Sequence, residues 1–329
     1  MIDFCIDVRM AFSSGIGTYI REVVPLLKGF RVILLVDKVG RSWCKELEQI
    51  AFDAPIYSIK EQLLYPLKIP SCDLFWSPHY NIPLLPIRAK KRVATIHDAC
   101  HLIFGSKTEK IYAKWVMGKA LKKSNEVITV SQFSKREIER LVGKGNLHPI
   151  PIGVNLQRFV RVKESERVRK KYQLPKRYVL FVGNQKPHKN IDGLERAFTK
   201  AHVPGLELVV AGKGTRMGQV EDQDLPALYS MAEAFVFPSF YEGFGLPPLE
   251  AMSCGCPTAV SNAASIPEVC GDASLYFNPS SDEEMAEAIV RAVENPEPLI
   301  KKGFERVKQF DWEICAKSHI ELFEKVCHA

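Results

Sequence analysis

Short apolar runs of strand length alternate along this chain with longer amphipathic stretches, and that rhythm constrains the fold more than any other feature. The runs at 2–6, 31–36, 74–76, 93–96, 126–130, 178–182, 206–211, 234–237, 257–260 and 273–277 are mostly Val, Ile, Leu, Phe and Ala. Continuous apolar strands of this kind are buried on both faces, which calls for a parallel sheet with helices above and below it. Helical periodicity over 16–27, 107–123, 134–141, 191–201, 225–231, 248–253, 281–294 and 298–310 supplies those layers. The rhythm pauses once, at 149–155 and through the charged stretch 161–177, before a fresh strand begins at Tyr178. The expected fold is therefore α/β, with two doubly wound, Rossmann-like domains at 1–157 and 158–311 facing across a cleft. Sheets of this type place ligands at the carboxyl ends of their strands, so the loops after the strands are where chemistry is expected.

With 329 residues, 46% hydrophobic and 25% charged, the composition is that of an ordinary globular protein and excludes a disordered or low-complexity chain. The formal charge of +7 is unevenly placed: residues 1–157 hold 23 Lys and Arg against 14 Asp and Glu (net +9), and residues 158–329 hold 22 against 24 (net −2). A positive first half points to an anionic partner, with improved solubility as the simpler reading of the same excess. Nine scattered cysteines without a CxxC pair suggest reduced, buried thiols and a cytoplasmic setting. The acidic start, Met1-Ile-Asp-Phe-Cys-Ile-Asp7, is unlike a signal peptide, and no apolar run reaches the roughly 18 residues of a membrane span. The expectation is a soluble protein, at most peripheral on the inner face of a membrane.

Four constellations follow strands. Gly15-Ile-Gly17 opens a helix, where free amides favour an anion. Asp37, about 20 residues further on, invites a dinucleotide reading, but Ile20 stands where a third glycine would be and the loop from Asp7 is too long. His97-Asp98 closes a buried strand, so that His97 either faces a sugar hydroxyl or caps the strand through a backbone bond. Gly183-Asn-Gln-Lys-Pro-His-Lys-Asn190 places Lys186, His188 and Lys189 just before a helix as a cationic cradle, with Lys189 best placed for a phosphate. The fourth runs from Phe237 to Ala251 and holds Glu242 and Glu250. On one helix these would be separated by about 12 Å of rise, too far for a glycosidase pair. Pro247 and Pro248 instead suit a first helical turn, leaving Glu242 on the loop and Glu250 on the helix, with the amides near Gly245 and Leu246 aimed at an anion between them. Carboxylates accept hydrogen bonds from sugar hydroxyls, so the site fits a ligand that is sugar, diphosphate and ribose together.

On these residues, with Val130-Ser-Gln-Phe-Ser134, Ile150-Pro-Ile-Gly-Val-Asn155 and Gly271-Asp-Ala273, nearly the whole chain resembles the family 4 retaining glycosyltransferases of GT-B fold. The Glu-Gly-Phe-Gly-Leu-Pro context of the two glutamates is the most specific element and is similar to mannosyltransferase relatives. The resemblance implies a nucleotide-sugar donor, no cofactor and no metal ligands. It assigns donor-sugar contact to Glu242, diphosphate contact to Lys189, Gly17 and the amides of Phe244, Gly245 and Leu246, and ribose contact to Glu250, with Gly15, Gly183, Lys186 and His188 also on the donor side. His97 would position the sugar, with Asp98 and Tyr19 on the acceptor side, and the last helix, from Trp312, would complete the first domain. Three departures stand out: His188-Lys189 replaces the usual Arg-Lys, with Lys186 placed to compensate; the 211–218 loop is short near the base pocket; and no Asp-x-Asp motif stands at a plausible position.

The implied reaction moves a hexose from a GDP-mannose-like or UDP-sugar donor to a glycan, lipid-linked or other hydroxyl acceptor. A sugar-nucleotide epimerase or phosphorylase of the same fold is the alternative. Nucleic-acid binding is suggested by charge alone and lacks a recognition signature. The stretch 107–123, with Lys107, Lys110, Lys114, Lys119, Lys122 and Lys123 interleaved with Tyr112, Trp115 and Met117, either rests on an anionic membrane or is a normal helix with aromatics in the core and lysines in water.

Overall fold

The computed structural model describes residues 1–329, the side chain of Ser14 excepted. The chain divides into two compact units, one comprising 1–152 with 312–329 and the other 153–311.

The first unit is built on seven strands: β1 (Ile2–Asp7), β2 (Phe30–Val36), β3 (Glu48–Ala51), β4 (Cys72–Ser77), β5 (Ala89–Thr95), β6 (Glu126–Thr129) and β7 (Leu147–Pro149). All pair in parallel, in the order β3-β2-β1-β4-β5-β6-β7. The strand order reverses between β1 and β4, and the crevice outside that point is where such a sheet can take a ligand. The loops after β1, β4 and β5 are therefore side by side at the carboxyl edge.

The second unit has five parallel strands, β8 (Tyr178–Val182), β9 (Glu207–Ala211), β10 (Ala234–Phe237), β11 (Thr258–Ser261) and β12 (Leu275–Phe277), in the order β12-β11-β10-β8-β9. Here the reversal falls between β8 and β10. The loops following these two strands are the cationic 183–190 segment and the segment that carries Glu242.

Several boundaries differ from the sequence expectation. Residues 153–157 belong to the second unit, because the Val154 amide donates to the Phe310 carbonyl at 2.8 Å, whereas Ile150 is held by the Thr129 carbonyl, also at 2.8 Å. β3 and β7 were not anticipated, being three- or four-residue edge strands of mixed polarity, β7 ending in a proline that an interior strand would not tolerate. The helix expected at 16–27 runs Ser14–Val23 and tightens into a 3₁₀ turn, Val24–Leu26, where Pro25 lacks an amide. The charged stretch after the boundary contains a short helix, Glu166–Lys171, started by the Ser165 side chain accepting from the Val168 amide.

The C-terminal helix, Trp312–His328, returns to the first unit. Phe323 is fully buried there, with its ring 4.9 Å from that of Phe4 and 5.2 Å from that of Trp76. His319 is fully buried as well. Its Nδ1 donates to the Cys315 carbonyl at 2.7 Å, which leaves Nε2 to accept from the Tyr19 hydroxyl at 2.5 Å. Burial keeps this imidazole neutral by lowering its pKa to about 4.

Truncating Phe323 opens a cavity among three aromatic rings. Phe323→Ala is expected to destabilise the first unit by about 4 kcal/mol, measurable by denaturant unfolding, with the second unit's transition unchanged.

Candidate active site

In the second unit, β8 is followed by Gly183, whose amide is held by the Ala211 carbonyl of the neighbouring strand at 2.9 Å. The chain then makes a 3₁₀ turn, Pro187–Lys189, with Asn190 left-handed at φ 55°. The Asn190 side chain donates to the carbonyls of Pro238 and Pro279, at 3.3 and 2.7 Å. The buried His188 accepts at its carbonyl from the Phe240 amide at 2.8 Å. These bonds fasten the loop after β8 to the loop after β10. They bring the Lys189 ammonium to 2.6 Å from Glu242 Oε1, with both side chains largely sheltered, and 5.2 Å above the Phe237 ring. Lys186 starts the turn, its carbonyl accepting from the Lys189 amide at 2.9 Å, but its side chain is exposed.

The loop after β10 is clamped from below. The buried Ser265 hydroxyl lies within hydrogen-bond reach of the carbonyls of Glu242, 2.9 Å, and Phe244, 2.7 Å. Phe244 is anchored by its ring against Phe310 at 5.6 Å. Gly245 follows at φ 112°, a backbone conformation that a side chain would strain, and turns the chain into the helix Leu246–Ser253. Prolines at the second and third helical positions have no amide to offer. The amides of Phe244, Gly245 and Leu246 have no acceptor among the described residues, so the helix start presents its donors to an incoming anion beside Lys189.

Glu250 occupies a separate environment on the same helix. It accepts from the Tyr229 hydroxyl at 2.9 Å. Burial raises its pKa to about 7, against the opposing pull of Tyr229 and the Arg158 guanidinium. Arg158 is itself bonded to the Asp222 carbonyl at 2.7 Å. Neither Tyr229, Ser265 nor Arg158 carries a local sequence signal, since each reaches the site from a distant loop or helix.

In the first unit the outcome for the anticipated residues is mixed. His97 is partly buried, and its Nε2 lies 2.9 Å from the Pro78 carbonyl. Asp98 precedes the helix Cys100–Phe104 and accepts from its first amide, that of Cys100, at 2.8 Å. Tyr19 must be corrected: its ring is fully buried and its hydroxyl is committed to His319, so it presents nothing to an acceptor. Gly17 is required for a different reason from the one anticipated. A Cβ there would lie 2.6 Å from the Ala11 carbonyl oxygen, and its amide already donates to Ser13 at 2.9 Å, so the donors left over at this helix start are those of the turn that contains Gly15.

The state of Glu250 makes a signed prediction. Its folded pKa of about 7 lies above the ordinary 4.5, so the folded unit binds the proton more tightly and stability falls as pH rises from about 4.5 to 7. Glu250→Gln is therefore expected to stabilise the second unit at pH 8, by up to about 3 kcal/mol, and to make no difference at pH 4. Thermal melts at the two pH values check this.

Residues 14–158 match the family described as Glycosyltransferase Family 4, and residues 176–295 match Glycosyl transferases group 1. An O-antigen chain mannosyltransferase B of Escherichia coli is 34% identical over 276 residues, covering 73% of this chain and 72% of that protein. Among solved structures, a sucrose-phosphate synthase from Thermosynechococcus elongatus superposes with a TM-score of 0.78 at 21% identity, covering 99% of each chain. HepE of Anabaena in complex with UDP-glucose gives a TM-score of 0.78 at 16% identity, covering 99% of this chain and 100% of that one. The two parallel sheets, the paired lysine and glutamate at a switch point, and these likenesses agree: the chain is a glycosyltransferase of family 4, with the GT-B fold.

Proposed function

We propose that this chain transfers a hexose, of mannose type, from a nucleotide-diphosphate sugar to a hydroxyl of a glycan or lipid-linked acceptor, with retention of anomeric configuration and without a required metal ion. The observation that carries the reading is the meeting of Lys189 with Glu242 at 2.6 Å beside the three unpaired amides of residues 244–246. A diphosphate there would take hydrogen bonds from the amides and draw on the Lys189 charge, while Glu242, an acceptor only, suits the hydroxyls of the attached sugar. Charge develops on the diphosphate as the sugar–phosphate bond breaks. Donors already oriented toward it stabilise the transition state more than the ground state. Glu250, beside Tyr229, is suited to ribose hydroxyls. His97 is the first unit's candidate for contact with the sugar, and the departing phosphate can itself take the acceptor's proton.

The mannosyl assignment is supported by the name of the 34%-identical relative, and the UDP-glucose bound in a fold neighbour keeps a uridine donor in view. The 212–218 loop is closed on itself by bonds between Gly212 and Gly218 and from Thr215 to Gly212, leaving a compact wall where a base would lie.

A membrane-bound acceptor is supported by the surface of the first unit. No helix of the described residues is long and apolar enough to cross a membrane. On the helix Lys107–Lys123 the core is filled by Ala113, Val116, Met117 and Ala120, so Trp115 and Ile111 face outward, 50% and 72% exposed. The reading that its aromatics pack inward is corrected for Trp115, whereas the Tyr112 hydroxyl reaches the buried Asn81. A second helix, Ile59–Lys68, exposes Ile59, Leu63 and Leu67 at one-turn spacing, 81%, 60% and 74% exposed. The rings of Tyr57 and Tyr112 touch at 6.1 Å and join the two apolar stripes. Exposed Lys60, Lys107, Lys114, Lys122 and Lys123 flank them, which is the pattern of a surface that docks on anionic lipid.

Two experiments test these readings. In a thermal-shift screen, GDP-mannose at 100 times its dissociation constant is expected to stabilise the protein by about 2.7 kcal/mol, and Lys189→Ala is expected to abolish the shift. The absence of any shift with GDP- or UDP-sugars would remove the donor assignment. In flotation with phosphatidylglycerol/phosphatidylethanolamine vesicles at low salt, wild type is expected to float and a Leu63→Ser, Trp115→Ser double variant to stay behind. Equal behaviour of the two would exclude this face.

A further inference from the structure

Where the first sheet reverses its strand order, the chain buries a cluster of charges that donor binding in the second unit does not use. Asp7, at the end of β1, accepts from Arg9 Nε at 2.9 Å and from Arg9 Nη2 at 2.6 Å. The same Nη2 donates to Glu61 Oε1 at 2.6 Å and to the Tyr65 hydroxyl at 2.8 Å. Asp7, Glu61 and Tyr65 are fully buried and Arg9 nearly so. The second oxygen of Glu61 accepts from Asn81 Nδ2 at 2.7 Å, and Tyr112 donates to Asn81 Oδ1 at 3.2 Å. The next residue of the helix, Gln62, bonds the Ile82 carbonyl at 3.3 Å and the Leu84 amide at 2.9 Å. The cluster thus braces the loop after β4, in which the Ser77 hydroxyl donates to the Asn81 carbonyl at 3.4 Å. That loop carries the Pro78 carbonyl, 2.9 Å from His97 Nε2.

A carbonyl oxygen only accepts, so His97 Nε2 must hold a proton. In the neutral ring Nδ1 is then the acceptor, and it takes part in no hydrogen bond among the described residues. We infer that the Arg9–Asp7–Glu61 cluster, acting through Asn81, is the positioning device for His97: it fixes the Pro78 carbonyl and so the tautomer that offers Nδ1 to a substrate hydroxyl. The inference deepens the proposed transfer reaction and rests on it only for His97's contact with substrate; the ring's tautomer is a property of the free protein. The other groups that bear on the imidazole are Asp98 on its own loop, His79 on the loop after β4, His319 on the C-terminal helix and the edge of the Tyr19 ring at 4.9 Å.

Burial holds His97 below its ordinary pKa, with the Pro78 carbonyl and Asp98 pulling it back up and His79 adding to the fall. Activity that needs the Nδ1 lone pair is lost as pH drops through this pKa. Displacing the carbonyl lowers the pKa further, so the acid limb of kcat moves to lower pH.

Arg9 is unsuitable for a test, because removing it leaves two buried carboxylates unpaired. Asn81→Ala removes only the strap, and Tyr112→Phe loosens the same strap in a milder form. Histidine labelled with ¹⁵N reports the tautomer directly, with His97→Ala assigning the signal. Wild type is expected to show the Nε2–H tautomer. Asn81→Ala is expected to show a mixture, with kcat down by about tenfold to a hundredfold, the acid limb shifted to lower pH and donor affinity unchanged; Tyr112→Phe should move the same way by less. An Nδ1–H wild type, or folded variants that keep one tautomer and wild-type kcat, would overturn the inference. Loss of kcat with an unaltered tautomer and acid limb would assign the cluster to stability alone and overturn it too. If wild type binds no nucleotide-sugar, the transfer reading fails while the tautomer result still decides the positioning.

Discussion

Parallel strands cannot be joined by tight turns, and that constraint organises everything else in this protein. Most crossovers here run through a helix, although β4 joins β5 by a helix-free loop, the helices cover the faces of the sheet, and the interior strands are largely apolar. What remains accessible is the edge where strands end, and the ligand-sized crevice lies where successive connections part to opposite sides. In the second unit this point falls between β8 and β10, so two loops separated by some fifty residues of sequence meet as Lys189 and Glu242. In the first it falls between β1 and β4, where Asp7, Arg9 and the 77–82 loop converge. The same topology, used twice, puts a largely sheltered ion pair beside unpaired amides in one unit and a fully sealed ion cluster in the other.

The contrast explains what could be read from the sequence. Strands buried on both faces announce themselves as apolar runs, and all ten anticipated runs lie on strands, whereas β3 and β7 are short edges whose polarity hides them. The loop from Phe237 to Gly245 was legible because glycine and adjacent prolines have few uses, and a helix opening without amides at two positions is one of them. The helix Ile59–Lys68 was not legible, since its amphipathicity is inverted. It buries Glu61 and Tyr65 to satisfy Arg9 and turns Ile59, Leu63 and Leu67 outward. A rule that puts apolar residues inside fails when the interior partner is a guanidinium. Tyr19 was misjudged for a related reason: its partner, His319, lies 300 residues away and arrives only with the last helix.

Charge follows the same division. The second unit's slightly negative balance does not oppose the proposed anion, because Lys189 and three amides would act at hydrogen-bond range, where direction matters more than net charge. The first unit's positive excess sits on the outside, on lysines beside exposed leucine, isoleucine and tryptophan. Its interior is the reverse, with Asp7 and Glu61 sharing one guanidinium. Desolvation would penalise the Asp7 carboxylate, yet Arg9 holds it well below the usual carboxylate range, so this pair stays charged and its bonds stay directional.

Directionality is what a positioning element needs and what an apolar core lacks. Replacing the cluster by leucines of similar volume could preserve stability, since buried ion pairs seldom outperform well-packed hydrocarbon. Hydrocarbon would not, however, grip the Asn81 side chain, and the loop that carries the Pro78 carbonyl would keep only the bonds from Ser77 and Gln62. A cluster retained for stability alone would have no reason to end in a neutral amide bridging to a loop. The bonds run outward in a single sequence, from guanidinium to carboxylate to amide, and on through the chain of the loop to the carbonyl that fixes the imidazole. The fully buried end is the rigid one, and the end nearest His97 is where that rigidity is delivered.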